Sequence, residues 1–462
     1  MNLHEFEDTI VALATPPGES GIGIVRMSGP EALSIAAEVF VPAHTDRVAG
    51  NLKSFSTAYG HVRDGDETID EVILTVMRAP RTYTTQDVVE VNCHGGIVPL
   101  KRTLELLISK GARVADPGEF TKRAFYFGRI DLAQAEAVND VISARTEEAR
   151  KAAMAQLEGK FSQAVNALRD KLVEIIAHLE AALDFGDAGI EPMAIEHAVG
   201  QLTQIQGELD ELIESAQVGR VLREGVRTAI VGRPNVGKSS LMNALLGQDR
   251  AIVTPIPGTT RDVVQDSINV GGVALLLADT AGLRRTEDVV ESAGVARTRT
   301  TMQQADLVLL VMDSSEALAD EDIALMGSVP RDKSVLVLNK DDLPVGFERQ
   351  ALHEWGDGSV ARISAKLGTG IDELKSLITE MIWRGKAGPS GSTLVTNVRH
   401  KAALERARTA VGDAMKAAED GLTEEYLASD LREGLDALGE IVGATLVQDI
   451  IDRIFDSFCI GK

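Results

Sequence analysis

Cysteine is scarce in this chain of 462 residues: only Cys93 and Cys459 are present. Two thiols do not make a disulfide framework, and a reducing, cytoplasmic setting is expected. Long apolar runs are missing too. None approaches the roughly 20 residues that a membrane helix needs, so no membrane association is expected. The opening MNLHEFEDTI is acidic early and has neither a basic-then-apolar stretch nor an Arg-rich amphipathic one. No export or organelle address is therefore expected. Basic residues are outnumbered, with 47 Lys and Arg against 70 Asp and Glu, for a net charge of -23. Phosphate binding needs Lys and Arg, so this is no general nucleic-acid coat. Any RNA contact has to be a local basic patch on an acidic body. The charge balance says nothing about fold. Internal repeats and low-complexity tails are absent as well.

What is present is a soluble, globular composition, 44% hydrophobic, in a chain too long for one core. Residues 1–118 alternate short β-rich runs with turn signals, an α+β pattern. Candidate strands are Ile10–Ala14, Gly21–Met27, Thr57–Val62, Glu71–Met77 and Val88–Asn92, with helices over 31–40 and 97–110. Over 119–217 the texture turns helical: Phe161, Val165, Leu168, Leu172, Ile175, Leu179 and Leu183 step by threes and fours, one apolar stripe. The run Asp184-Phe-Gly-Asp interrupts the stripe, and Pro192 opens a further helical stretch. Over 218–385 strands alternate with helices, which predicts a mostly parallel sheet. After Gly388-Pro-Ser-Gly-Ser392 the helical texture returns until Phe458, which makes 386–462 the second helical segment. The economical organisation is an α+β N-terminal domain, one discontinuous helical domain, and an α/β domain inserted between its two segments.

Arg227–Val231 reads as a strand and Ser240–Leu246 as a helix, and between them runs Gly232-Arg-Pro-Asn235-Val236-Gly237-Lys238-Ser239-Ser240. This is G-x-x-x-x-G-K-[ST] in its strand–loop–helix setting. The glycines let backbone N–H groups approach phosphate, and the helix N-terminus adds positive potential. Lys238 is expected to reach the β- and γ-phosphates and Ser239 to bind Mg²⁺. Asp279-Thr280-Ala281-Gly282 follows the apolar strand Val273–Ala278. Its carboxylate suits a Mg²⁺-bound water and its Gly282 amide the γ-phosphate. Asn339-Lys340-Asp341-Asp342 follows the strand Ser334–Leu338, and Ser364-Ala365-Lys366 closes the set as a loop behind guanine. Asp342 offers two acceptors to the adjacent N–H donors of guanine, a pair adenine lacks. Sites of this kind reject analogues by about 10⁴–10⁵. Singly these motifs are weak; in order, each after a strand, they specify a Ras-like P-loop GTPase.

Leu283 stands where Ras-like enzymes usually place a water-orienting glutamine, and leucine cannot bond water. The segment Leu283–Ala293 supplies Arg284, Arg285, Glu287, Asp288 and Glu291. Glu291, acting through a bridging water, is the candidate; the alternative is that these are solvated switch charges. Thr254-Pro255-Ile256-Pro257-Gly258-Thr259-Thr260 occupies the switch I position, where one threonine hydroxyl completes the Mg²⁺ shell. The Asn235 amide oxygen suits a monovalent cation. A cation there would neutralise developing charge, the work of an arginine finger, worth about 10³–10⁵ in rate.

Several segments together resemble the MnmE (TrmE) family of bacterial tRNA-modification GTPases. They include Ala14-Thr-Pro-Pro-Gly18, Gly21-Ile-Gly-Ile-Val-Arg26, His94-Gly-Gly96, Pro117-Gly-Glu-Phe120, Asp131-Leu-Ala-Gln-Ala-Glu136, Leu222-Arg-Glu-Gly225, Gly258-Thr-Thr-Arg-Asp262 and Cys459-Ile-Gly-Lys462. The resemblance spans the chain, and the last tetrapeptide is its most discriminating part. It implies K⁺ held by Asn235, Thr254, Ile256 (through its carbonyl) and Thr259, and Mg²⁺ by Ser239 and Thr260. It also implies the catalytic glutamate role for Glu291 and switch-to-switch pairing of G domains. It implies an N-terminal tetrahydrofolate-binding fold that forms a homodimer, with 5-formyltetrahydrofolate or a relative at Arg26, Glu90, Arg129 and Lys462. The implied partner is the FAD- and NADH-using protein MnmG, in a heterotetramer. The pair would install a carboxymethylaminomethyl-type group on C5 of the wobble uridine of certain tRNAs. Arg129 is often lysine in the family; a planar fork replaces a point charge there.

Cys459 has two readings: a reactive thiol aided by a cation such as Lys462, or a packing residue after the apolar run Ile454–Phe458. Cys93 adjoins His94, but neighbours on a strand point to opposite faces, so it is assigned to the core. His94-Gly-Gly96 is read as a tight backbone turn, since no second ligand cluster accompanies it. Arg399-His-Lys401 with Arg406 and Arg408 is either a tRNA contact or a solvated helix face. A free-standing regulatory GTPase and a folate-dependent one-carbon transferase remain as alternatives.

Overall fold

In the computed structural model the described residues are 6–44, 47–185, 195–249, 267–277, 302–347, 352, 355–356, 358–383, 394–446 and 448–462. Switch I (254–262), the Asp279–Gly282 motif, the segment 283–293 with Glu291, the interruption after Phe185, and the loop 388–392 lie outside them. The chain divides into two compact units.

One unit joins the described residues up to 139 with those of 436–462. Its sheet has seven strands: β1 (Ile10–Leu13), β2 (Ser20–Ser28), β3 (Phe40–Pro42), β4 (Ser56–Asp64), β5 (Glu67–Met77), β6 (Val88–Gly95) and β7 (Arg113–Val114). They lie in the order β3-β4-β5-β6-β2-β1-β7, antiparallel except for β1 with β7. Period-2 alternation decides the faces. In β6, Val89, Val91 and Cys93 join the core with helices Ala32–Val39 and Ile97–Ser109, and Glu90, Asn92 and His94 point the other way. Each core side chain such as Leu74 or Leu107 contributes about 1.5–3 kcal/mol on full burial. The expected strands and helices are present with ends moved by a few residues. The unanticipated strands, β3 and β7, have three and two residues, too few to display an alternation. Helix Glu119–Tyr126 starts at Gly118, whose φ of +67° suits glycine. A Cβ there would also press on the Phe455 carbonyl oxygen at 2.8 Å.

The other unit is built from described residues between 140 and 435. Its sheet has six strands: β8 (Val226–Val231), β9 (Ser267–Val270), β10 (Val273–Leu277), β11 (Leu307–Asp313), β12 (Ser334–Asn339) and β13 (Val360–Arg362). The order is β13-β12-β11-β8-β10-β9, and every pair is parallel except β9 with β10. β11 and β12 are buried throughout, as expected of central parallel strands. Helix Lys160–Phe185 buries the stripe from Phe161 to Leu179. Helix Val398–Glu419 packs along Ile195–Glu224. Its buried seam of Ala403, Leu404, Ala407, Ala410, Val411 and Ala414 is mostly small, which permits close approach. No helix among the described residues is long and apolar enough to cross a membrane.

Candidate functional site

The phosphate loop leaves central strand β8 and enters helix Lys238–Asp249. Its shape depends on two glycines. Gly232 and Gly237 have φ of +148° and +97°. A Cβ on the first would collide with the Val311 carbonyl, and on the second with the Asn339 side-chain amide. Asn235 takes φ +64°, left-handed, and with Ser239 and Ser240 is exposed, while Val236 anchors the loop in the core. Lys238 Nζ donates to Gly232 O (2.8 Å) and Arg233 O (2.6 Å). Burial holds this ammonium below its usual pKa. The loop thus presents a helix N-terminus, exposed hydroxyls and one cation, a donor set that fits a Mg²⁺-bound phosphate. Arg233 bridges to Asp322 (2.8 Å) and Glu316 (3.5 Å), which ties the loop's outer edge to the segment after β11.

Asn339 joins this loop to the loops that follow β12 and β13. Its Nδ2 donates to Val236 O at 2.8 Å, and its Oδ1 accepts from Ala365 N at 3.0 Å. Asp342 Oδ1 accepts from Ser364 Oγ at 2.6 Å, and that hydroxyl accepts in turn from Leu367 N at 3.2 Å. The carboxylate is exposed and aimed by this relay. The structure therefore brings together Asn235–Ser240, Asn339–Asp342 and Ser364–Lys366. Thr254–Thr260, Asp279–Gly282 and Glu291 fall outside the described residues.

A second cluster lies in the N-terminal unit. Arg26 Nε donates to Glu90 Oε1 at 2.8 Å, a pairing set by their cross-strand register on β2 and β6. Arg26 also donates to Gly461 O (3.3 Å) and lies 5.8 Å from the Phe120 ring centroid. Gly118 N donates to Cys459 O (3.3 Å) and Phe120 N to Lys462 O (3.2 Å). Arg26, Glu90, Cys459 and Lys462 thus meet. Burial, with Arg26 nearby, pushes the Lys462 ammonium down, against the opposing pull of Cys459 and Glu90. Arg129 stacks 4.7 Å from the Tyr83 ring centroid and donates to Tyr83 O at 3.2 Å. It borders a cavity of about 580 Å³ lined also by Phe55, Arg81 and Phe127. Burial raises the Tyr83 hydroxyl, and the charges of Arg129 and Arg26 both pull it back. Sequence reasoning missed Tyr83 and Phe120, the aromatic backing of both arginines. The Pro117-Gly-Glu-Phe120 segment was the available signal for the second.

Two stretches of the chain match family models: residues 9–129 match the GTP-binding protein TrmE N-terminus, and 132–459 the MnmE helical domain. The chain belongs to the MnmE family of tRNA modification GTPases. It is 44% identical to the tRNA modification GTPase MnmE of Alkaliphilus oremlandii over 99% of this chain and 100% of that protein. It is 48% identical to the Heliobacterium modesticaldum MnmE over 98% and 99%. The G domain of the T. maritima FeoB iron transporter is 29% identical over 34% of this chain and 98% of that one, at a TM-score of 0.25.

The remaining singled-out residues of this MnmE-family chain have definite surroundings. Cys93 is buried against Thr103, and burial pushes its thiol up to about 11. Cys459 is half-buried. His94 and Gly95 close β6, and Gly96 N turns back to His94 O at 2.8 Å. His94 Nδ1 lies 2.7 Å from Asp70 Oδ1. The basic patch is smaller than its residue list suggests. His400 is in the core with its ring against Phe161, Arg408 pairs with Asp210, and Lys401 pairs with Glu405.

Proposed function

We propose that this GTP hydrolase of tRNA modification is stimulated by K⁺ and, with a flavoprotein partner of the MnmG kind, installs a C5 aminomethyl-type group on wobble uridine from a folate-derived carbon. Asn339 carries the GTP part of this reading, because it couples phosphate loop and guanine loop in one set of hydrogen bonds. In the proposed site Lys238 and the loop N–H groups hold the phosphates, and Ser239 with Thr260 holds Mg²⁺. Asn235, Thr254, Ile256 and Thr259 hold K⁺, whose charge stabilises the leaving phosphate. Glu291 orients water, since Leu283 cannot. Asp342, aimed by Ser364, selects guanine.

The folate part rests on the cluster in the N-terminal unit. Glu90 offers acceptors to the N–H groups of a pterin, and Arg129 a planar fork to a glutamate tail. The domain bounds 1–118, 119–217, 218–385 and 386–462, the homodimer and the cytoplasmic setting belong to the same proposal.

The test is mass spectrometry of tRNA nucleosides from a deletion strain carrying wild type, Asp279→Ala or no copy. C5-modified wobble uridine should vanish on deletion and return only with wild type. Normal nucleosides on deletion would favour a regulatory GTPase, and rescue by Asp279→Ala a folate transferase in which GTP is incidental. Equal GTPase rates in KCl and NaCl at matched ionic strength would refute the K⁺ ligands. Undiminished 5-formyltetrahydrofolate binding by Arg129→Ala would remove that residue from the folate site.

A further inference from the structure

Strand β11 reads Leu-Val-Leu-Leu-Val-Met and then ends on a carboxylate, Asp313, whose side chain is only 2% exposed. An apolar residue would end such a strand without the desolvation that an ion pair carries, and buried pairs seldom repay that cost in stability. The surroundings give a different reason for the charge. Asp313 forms an ion pair with Lys340, the second residue of the guanine loop. Its Oδ1 accepts from Ser315 N (3.0 Å) and Ser315 Oγ (2.6 Å). Burial works against the charged form, and the bonds from Lys340 and Ser315 outweigh it, so the carboxyl stays below its usual range.

Lys340 needs holding. Its φ is +64°, the left-handed region that a lysine seldom occupies. It sits between Asn339, which reaches both the phosphate loop and Ala365, and Asp341, whose N–H donates to Ile363 O at 3.0 Å. A turn of Lys340 toward a commoner conformation would swing both neighbours and Asp342 beyond them. The segment after β11 braces the loop at further points. Asp313 lies in register with Asn339, Ser314 N donates to Asn339 O (2.9 Å), and Gly346 N donates to Ser314 O (2.8 Å).

We propose that Asp313 is a positioning residue for guanine recognition: by clamping Lys340 it fixes the backbone that presents Asn339 and Asp342 to the base. The proposal rests on the GTP-site reading above. It concerns binding and selectivity, because among the described residues the side chain of Asp313 bonds to Lys340 and Ser315 and not to the phosphate loop.

The experiment uses the full chain with a fluorescent GDP, unlabelled GDP and IDP as competitors, and steady-state GTP hydrolysis. Asp313→Asn keeps the size and the Ser315 contacts but removes the charge that holds Lys340. It is expected to weaken GDP binding roughly tenfold, as loss of a charged hydrogen bond does. The GDP-over-IDP preference should shrink, because Asp342 reads the amino group that IDP lacks, while kcat at saturating GTP stays within about twofold of wild type. Asp313→Glu, which keeps the charge, should lie between. In a Lys340→Met background Asp313→Asn should add no further loss, since the clamp has nothing left to hold. Unchanged affinity and selectivity in Asp313→Asn, a fall in kcat at unchanged affinity, or additive losses in the double variant would each overturn the proposal. If Asp313→Asn does not fold, the selectivity of Asp313→Glu decides: a GDP-over-IDP preference equal to wild type overturns it. Wild type that fails to bind guanine nucleotide would instead sink the GTP-site reading itself.

Discussion

Replacing Arg123 with methionine should loosen the N-terminal unit locally, and the cost follows from its bonds. The Arg123 side chain is fully buried. It donates to Glu119 Oε1 (2.8 and 3.3 Å), Asp8 Oδ1 (2.5 Å), Asp8 O (2.8 Å) and Gln86 Oε1 (3.0 Å). Methionine fills most of the same volume, so the cavity is small. Removing one partner of a buried ion pair costs about 3–5 kcal/mol. The lower end applies here for two reasons. Glu119 keeps Arg113 (2.6 and 3.1 Å) and the Asp116 N–H (2.8 Å). Asp8, at 40% side-chain exposure, can be rehydrated. A cost near 3 kcal/mol corresponds to roughly a hundredfold larger opening constant. A chain of two units need not unfold in one step, so a global melt would blur the effect. Hydrogen exchange of the amides in Glu119–Tyr126 reads it directly. Phe120 N, bonded to Lys462 O, should lose protection with the rest of the helix. A change below about 1 kcal/mol would refute the reasoning and show Arg113 alone to be sufficient.

In Asn339→Ala the buried Val236 carbonyl loses its partner, at about 1–3 kcal/mol, the part-buried Ala365 N–H loses its own, and GDP affinity should fall roughly tenfold; equal affinity by fluorescence titration would mean the two loops hold their places without the bridge. Iodoacetamide at neutral pH should label Cys459 in the native chain and Cys93 only after unfolding, because burial pushes the Cys93 thiol to about 11; peptide mass spectrometry showing native Cys93 labelled would contradict its burial. The carboxyls of Asp8 and Glu119 lie below their ordinary values: burial opposes the charge, and Arg113 and Arg123 outweigh it. Their stabilisation is therefore complete above the unfolded carboxylate range and lost as pH falls through the lowered folded values. Exchange in Glu119–Tyr126 should rise on acidification, and Arg123→Met should reduce that dependence; a pH-independent helix would remove the network from the acid response.

The loops after β8, β12 and β13 were legible in position because each is a short contiguous string between regular elements. Gly232, Gly237 and Lys238 fall within one turn between a strand and a helix, so spacing alone announces the turn. The apolar stripe from Phe161 to Leu179 was legible because a helix repeats its contacts at fixed intervals. Cys93 could be sent to the core because alternation along β6 separates it from His94. The basic patch misled at His400, because a histidine at a helical position carries no sign of whether it faces Phe161 or water. Asp313 was equally silent. Its role depends on Lys340 arriving at the end of the neighbouring strand, which no local pattern encodes.

The sequence by itself determined the family, the order of the nucleotide motifs, the parallel character of the inserted sheet and the residue types fit for guanine and phosphate. Tertiary structure alone decided which distant groups share a site. Arg26 meets Gly461 across 435 positions, and Arg123 meets Asp8 across 115. It also decided which charges are neutralised, as Lys340 is by Asp313 and Arg408 by Asp210. The physical reason is range. Backbone preference and side-chain period act over a few residues and leave a mark in the string. Ion pairs and ring contacts act through space, and their partners are chosen by how the sheets and helices come to rest.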